Sequence, residues 1–246
     1  NLPLPEFDDT GFVGRKNDIK DITELILNKK NQVISVVGNG GMGKTSTVVK
    51  ILYDLIENPE NPFEAIIWIT LKTKTLSNGE FVEIEDSIRS INDVIEKGKM
   101  EMLFNKEDDA MESVLCFMKV FKVLLVLDNM ETINTGDVNN FLRRIPDNSK
   151  VLITSRLGIG EFEVRQKIEG LSRVDAITYF RELSKYYGLD LHKKSDDEIY
   201  NIVHKCLYNN PLSIKWYISG IYAGTDPKKM LSHKEDLIEF CISNIF

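Results

Sequence analysis

Short, nearly unbroken apolar runs recur along the first two thirds of the chain, at Val33–Val37, Ala65–Leu71, Val123–Leu127 and Lys150–Thr154. Runs of this length, rich in β-branched residues, predict strands buried on both faces, as in a parallel sheet. Glu163–Ile168 alternates instead and predicts a weaker strand. Between the runs, apolar residues recur at helical spacing. Ile19, Ile22, Leu25 and Ile26 predict a helix from Asn17, with Asn17 as its candidate cap. A second helix runs from the end of the first glycine cluster to about Glu57, where Pro59 and Pro62 break the pattern. Ile84, Ile88, Ile91, Val94 and Ile95 predict another, and Met111, Val114, Leu115, Met118 and Val120 another beyond Gly98. Val138, Phe141, Leu142 and Ile145 predict a short one, while Lys72–Glu80 reads as a polar loop turning at Asn78-Gly79.

After Gly170 the pattern is helical only. Val174, Ile177, Phe180 and Leu183 form one apolar face; Ile199, Ile202, Val203, Cys206 and Leu207 form a second, opened by the capping-box pair Ser195 and Glu198. Leu212, Trp216, Ile218 and Tyr222 form a third, with Pro211 in its first turn, and Leu237, Phe240, Cys241 and Ile245 a fourth. Strands alternating with helices, then helices alone, predict an α/β domain with a parallel sheet flanked by helices, followed by a small helical bundle. The expected division is a linker over 1–11, a nucleotide-binding α/β domain over 12–170 and a helical subdomain over 171–246.

The chemistry concentrates at the ends of the predicted strands, where open parallel sheets bind ligands. Gly38-Asn39-Gly40-Gly41-Met42-Gly43-Lys44-Thr45-Ser46 follows the first strand and opens a helix, and it fills every fixed position of G-x-x-x-x-G-K-[ST]. Glycines let successive amides turn toward an anion, and the helix start adds the positive end of its dipole. Lys44 would reach the outer phosphates and Thr45 would coordinate Mg²⁺. The competing reading is a glycine-rich turn with an accidental lysine. Asp128 ends the third strand, where the Mg²⁺ carboxylate of a phosphoryl-transfer site belongs; it could equally cap a strand-to-loop turn. Arg156, after the fourth strand, is either a γ-phosphate contact or a surface arginine paired with Glu161 or Glu163. The position beside Asp128 holds Asn129, which cannot accept a proton as a general base. Glu131 is either a water-positioning group or a loop carboxylate. Hydrolysis is therefore expected to be slow.

Composition narrows this only a little. The 246 residues are 42% hydrophobic and 28% charged, with a net charge of −7 that argues against broad nucleic-acid binding. Three well-separated cysteines predict buried reduced thiols and a cytoplasmic protein, and three histidines without metal spacing predict no zinc site. No apolar stretch reaches the roughly 20 residues a membrane span needs. The absence of an initial Met and the apolar end at Phe246 lead us to expect a piece of a longer chain.

Six ordered motifs resemble the NB-ARC module of STAND ATPases, a family of P-loop NTPases of the ASCE/AAA+-like class that includes plant immune receptors, apoptosome scaffolds and bacterial NLR-like signalling and defence proteins. Phe12-Val13-Gly14-Arg15 resembles the motif whose backbone and arginine lie against the adenine, which implies Val13 and Arg15 as cofactor contacts. Gly38–Thr45 resembles the phosphate loop, Phe63–Leu71 the strand with a central tryptophan, and Leu124–Asn129 the Mg²⁺ strand, with Asn129 replacing a second Asp common in plant members. Val151–Arg156 resembles the arginine-ended sensor strand. Asn210-Pro211-Leu212 resembles the Gly-Leu-Pro-Leu turn whose proline covers the adenine, with asparagines in place of the leading residues. The resemblance implies ATP or ADP with Mg²⁺ as ligands, self-association in the full-length active state, and effector and sensor domains outside this chain. The family's winged-helix subdomain and ADP-sensing histidine are expected beyond Phe246, and His233 is not that residue. The implied function is a slow ATPase switch, with an AAA+-like ATPase acting on nucleic acid as the alternative.

Overall fold

The computed structural model describes residues 2–4, 10–70, 74–77, 80–83, 110–130, 135–160 and 162–232. The expected helix through Ile84–Ile95, Glu131, Glu161, His233, Cys241 and the expected last helix lie outside them. The elements in order are α1 (Lys16–Leu27), β1 (Val33–Val37), α2 (Lys44–Glu57), β2 (Ala65–Thr70), β3 (Lys74–Ser77), β4 (Glu80–Glu83), α3 (Ala110–Val120), β5 (Val123–Asp128), α4 (Thr135–Leu142), β6 (Lys150–Ser155) and β7 (Val164–Lys167). Then come α5 (Arg173–Tyr186), a 3₁₀ turn (Asp190–Lys193), α6 (Asp196–Lys205), α7 (Pro211–Tyr222) and α8 (Pro227–Ser232).

Five strands form one parallel sheet in the order β2-β5-β6-β1-β7. Successive side chains of a strand point to opposite faces, and both faces are covered here. Leu124 and Val126 of β5, Leu152 of β6 and Ile34 and Val36 of β1 pack with Ile22, Ile26, Val48, Ile51 and Leu52 of α1 and α2. Val123, Leu125, Leu127, Val151 and Ile153 face the other way, against Leu115 and Met118 of α3 and Val138 and Phe141 of α4. Each such side chain contributes about 1.5–3 kcal/mol through burial. A third core joins Ala176, Phe180, Leu183, Ile199, Val203, Ile214, Tyr217 and Ile218 of α5, α6 and α7. No helix among the described residues is long and apolar enough to cross a membrane.

Several expectations need correction. Of β2, Ala65–Trp68 are half-buried, Ile69 is buried and Thr70 is exposed, because β2 stands at one end of the sheet and has β5 as its one neighbour among the described residues. The stretch read as a polar loop, Lys72–Glu80, contains β3 and ends on the first residue of its antiparallel partner β4. An Asn-Gly pair between short runs is the sequence signal of such a hairpin. Helix α1 begins at Lys16, and its N-cap is Arg15 in left-handed conformation (φ 58°), not Asn17. Val120 and Val174 are 72% exposed, off the buried faces of α3 and α5. Cys116 is exposed, since its neighbour Leu115 takes the inward position, and Cys206 is half-buried.

The helical region obeys its local signals. Ser195 and Glu198 form the reciprocal capping box at α6. Pro211 occupies the first turn of α7 behind an Asn210 cap.

Candidate phosphate-binding site

Beyond β1 the chain turns through Gly38–Gly43 into α2. Gly38 lies against the backbone carbonyl of Ile168 so closely that an added Cβ would collide with that oxygen. Backbone cannot yield as a flexible side chain would, so the position requires glycine. Helix α2 opens behind Gly43, a cap residue that makes no side-chain hydrogen bond, so the donor end of the helix faces the loop, as suits an anion. The Lys44 ammonium lies over the loop and donates to the carbonyls of Gly38 at 2.7 Å and Asn39 at 3.2 Å. Ser46 and Asn39 are exposed, and Met42 packs partly against the α1–α2 core.

Thr45, the helix residue after Lys44, reaches Asp128, the carboxylate that the sequence offers as a candidate Mg²⁺ ligand. Thr45 Oγ1 donates to Asp128 Oδ1 at 2.7 Å. Asp128 is 2% exposed and ends β5. Thr154 Oγ1, on neighbouring β6, donates to the same Oδ1 at 2.6 Å. Thr70, in register with Asp128 on β2, donates to Oδ2 at 3.1 Å. Three hydroxyls thus orient one carboxylate. Thr154 Oγ1 also accepts the Asn129 amide at 2.9 Å, which holds the turn where Asn129 takes φ 66°. Asparagine tolerates that left-handed conformation better than most residues. A hydroxyl and a carboxylate oxygen at this spacing suit Mg²⁺, a hard cation that takes oxygen ligands and completes its shell with water and phosphate.

Neither Thr70 nor Thr154 stood out in the sequence as a site residue. The available signal was a threonine ending an apolar run beside the aspartate strand.

Arg156 is half-buried one residue beyond β6. The loop that follows it, toward β7, is folded over Glu163. That carboxylate is almost fully buried, accepts the amides of Ile159 at 2.7 Å and Gly160 at 3.2 Å, and pairs with the Arg165 guanidinium. Burial pushes the Glu163 carboxyl up, but the nearby Ser35 hydroxyl, the Arg165 bond and the two amides outweigh it and hold the group below the ordinary glutamate range. A depressed folded-state pKa contributes stability that is present above the ordinary value and lost as pH falls through the folded one. Glu163→Gln is therefore expected to lower stability by about 1–2 kcal/mol at neutral pH. The difference from wild type should narrow as pH falls through and below the ordinary glutamate range. Urea unfolding at a series of pH values measures this, and a difference independent of pH would contradict it.

Arg15, and the residues on either side of Pro211, bond the loop. The Arg15 guanidinium is buried, donates to the Met42 carbonyl and to the Glu169 carbonyl at 3.0 Å, and pairs with Asp18 at 2.8 Å. Its backbone amide donates to Asp175 at the start of α5. Val13 packs partly against the helical core. Pro211 sits between Asn210 and Leu212, both of which bond the loop. Asn210 is a third residue whose importance the sequence did not reveal. Its signal was an asparagine in N-cap position before a helix-opening proline.

Comparison with known proteins matches this geometry to a family. The NB-ARC domain profile matches residues 15–171. The probable disease resistance protein RF45 of Arabidopsis thaliana is 24% identical over 151 residues, covering 61% of this chain and 14% of that protein. The chain thus spans about one seventh of the plant relative it matches, a 14% share. An uncharacterized WD repeat-containing protein of Nostoc is 25% identical over 138 residues, 54% of this chain and 10% of its own. Among solved structures, a Walker-type ATPase of Pyrococcus abyssi superposes with a TM-score of 0.64 at 11% identity, covering 99% of this chain and 77% of that one. A STAND protein with a tetratricopeptide repeat sensor from Pyrococcus horikoshii gives 0.51 at 19% identity, covering 82% and 29%. At such identities the structural likeness carries the fold, a P-loop ATPase sheet flanked by helices. The sequence match carries the family: running from the arginine that braces the loop to the first residue past Gly170, it makes this chain a member of the NB-ARC domain family.

Proposed function

We propose that the chain is the nucleotide-binding part of a STAND switch that holds ADP or ATP with Mg²⁺ and hydrolyses ATP slowly. The observation that carries this reading is the Thr45–Asp128 contact at 2.7 Å behind the phosphate loop, with an asparagine, not an acid, following Asp128. In the proposed roles, the amides of Gly38–Ser46 cradle the phosphates, Lys44 and Arg156 neutralise the outer ones, and Thr45 and Asp128 hold Mg²⁺. Val13, Arg15 and Pro211 border the adenine. The metal would supply charge neutralisation at the phosphates; the chain's own residues orient it and leave the attacking water without a strong base.

The proposed units are the linker over 1–11, the nucleotide-binding domain over 12–170 and the helical subdomain over 171–246. Exchange of ADP for ATP would change how the helical subdomain sits, expose a surface for self-association and release an effector outside this chain. Moving such an equilibrium from 1:99 to 99:1 takes about 5.5 kcal/mol of differential binding. One γ-phosphate held by two cations and a metal is of that order. The plant relatives' name as disease resistance proteins supports a role in cytoplasmic immune signalling, which in a bacterium would be antiviral defence.

Nucleotide released by denaturing the purified chain tests the reading. ADP at near one per chain, with turnover below about one per second, is expected. Lys44→Ala is expected to leave the protein empty. Rapid DNA-stimulated hydrolysis, or retention unchanged by Lys44→Ala, would overturn it.

A further inference from the structure

A loop that presents its amides inward to phosphate turns its carbonyls outward, and buried carbonyls need donors. Every carbonyl from Gly38 to Gly43 has one. The start of α2 supplies three of them: Lys44 Nζ reaches Gly38 and Asn39, and the Thr47 amide and hydroxyl reach Gly43 at 2.9 and 2.8 Å. Arg15 supplies Met42. The remaining two donors come from the helical region: Asn210 Nδ2 donates to Gly40 at 2.9 Å, and the Leu212 amide to Gly41 at 3.3 Å.

Asn210 is 6% exposed, and its amide orientation is forced. The amides of Leu212 at 2.9 Å and Ser213 at 3.3 Å can only donate, so they face its oxygen, and the nitrogen is left for Gly40. One side chain thus caps α7 and restrains the loop. Gly41, at φ 75°, makes the approach feasible, since a Cβ there would lie 2.7 Å from both Asn210 Oδ1 and Leu212 Cβ. Behind the cap, Tyr208 and Asn209 are both left-handed, at φ 55° and 54°, and the Asn209 carbonyl accepts the Leu171 amide at 2.9 Å. The cap is therefore fixed to the point where the chain leaves the sheet. Asn210 lies beyond the family match, which ends at residue 171.

We propose that Asn210 is a positioning residue for phosphate binding, which makes the loop's affinity for a nucleoside diphosphate depend on the docking of α7. By linkage, a bound diphosphate tightens that docking by the same factor. The proposal rests on the nucleotide-binding reading above and adds the residue that couples the two parts.

The test is equilibrium binding of ribose-labelled fluorescent ADP with Mg²⁺ to the nucleotide-stripped chain. Asn210→Ser keeps an N-cap acceptor but is too short to reach Gly40, and should weaken ADP about tenfold. Asn210→Asp caps equally well but has no donor while ionised. Its affinity relative to wild type should be lowest near pH 7.5 and recover toward pH 5 and below, roughly where a carboxyl regains its proton. A purely structural asparagine would give no such recovery. Binding of both variants within twofold of wild type overturns the proposal. So does a flat pH ratio for Asn210→Asp, which decides the matter alone if the serine variant does not fold. Failure of the unaltered chain to bind ADP is a separate outcome and overturns the underlying reading.

Discussion

Asp128→Asn is expected to lower Mg²⁺-dependent ATP turnover at least about a hundredfold while leaving the chain folded. The charge is the part being removed. Asp128 is buried and receives hydroxyls from Thr45, Thr70 and Thr154, so its position is set by four separate elements of the fold. An asparagine keeps the shape and one acceptor oxygen, and the threonine hydroxyls can rotate to suit its amide. Asp128→Ala differs, because it takes the acceptor away from the buried Thr154 hydroxyl, at about 1–3 kcal/mol. Comparing the two separates chemistry from stability. The measurement is single-turnover hydrolysis against Mg²⁺ concentration, with urea unfolding alongside. Turnover by Asp128→Asn equal to wild type, with an unchanged Mg²⁺ dependence, would remove Asp128 from the site.

The central strands were the most legible part of the fold. Val123–Leu127 and Val151–Ile153 are buried on both faces, and a solid apolar run says so directly. β2 was read as equally buried because its sequence is equally apolar, yet strand order decides exposure and order is a non-local property. The β3–β4 hairpin was hidden by polar composition, although its Asn-Gly spacing was visible. The α1 boundary failed for a different reason. Arg15 starts that helix through contacts with Met42 and Glu169, partners distant in sequence that no local rule contains.

The site divides in the same way. Spacing alone picks out Gly38–Ser46 as candidates, and the place at a strand end picks out Asp128. Residues whose role depends on what the sheet brings beside them are not picked out in this way. Thr70 and Thr154 matter because β2 and β6 flank β5, and Asn210 because α7 starts against Gly40. The sequence offers Glu163 as a partner for Arg156 and as the first residue of a weak strand; its bonds to Ile159, Gly160 and Arg165 give it a loop-holding role that composition cannot signal.

Phe180→Ala is expected to cost about 3–5 kcal/mol, the largest stability loss of any substitution considered. Phe180 is fully buried at the centre of the helical core, and its ring stacks on Tyr217 with centroids 6.2 Å apart. Truncation leaves a ring-sized cavity between α5 and α7, which rigid helices fill only in part. That core shares no buried residue with the two that line the sheet, so the damage should concentrate in the helical region. Hydrogen exchange should accelerate in α5, α6 and α7 well before β5 and β6. Val174→Ala on the same helix is the control: Val174 is 72% exposed, and its truncation should change stability by less than about 0.5 kcal/mol. Because α7 carries the Asn210 cap against the loop, loosening its packing should also speed ADP release, although Phe180 touches no part of the phosphate loop. Equal acceleration of exchange throughout the sheet would instead make the two regions one cooperative unit, and the loop would then depend on the helices through global stability alone.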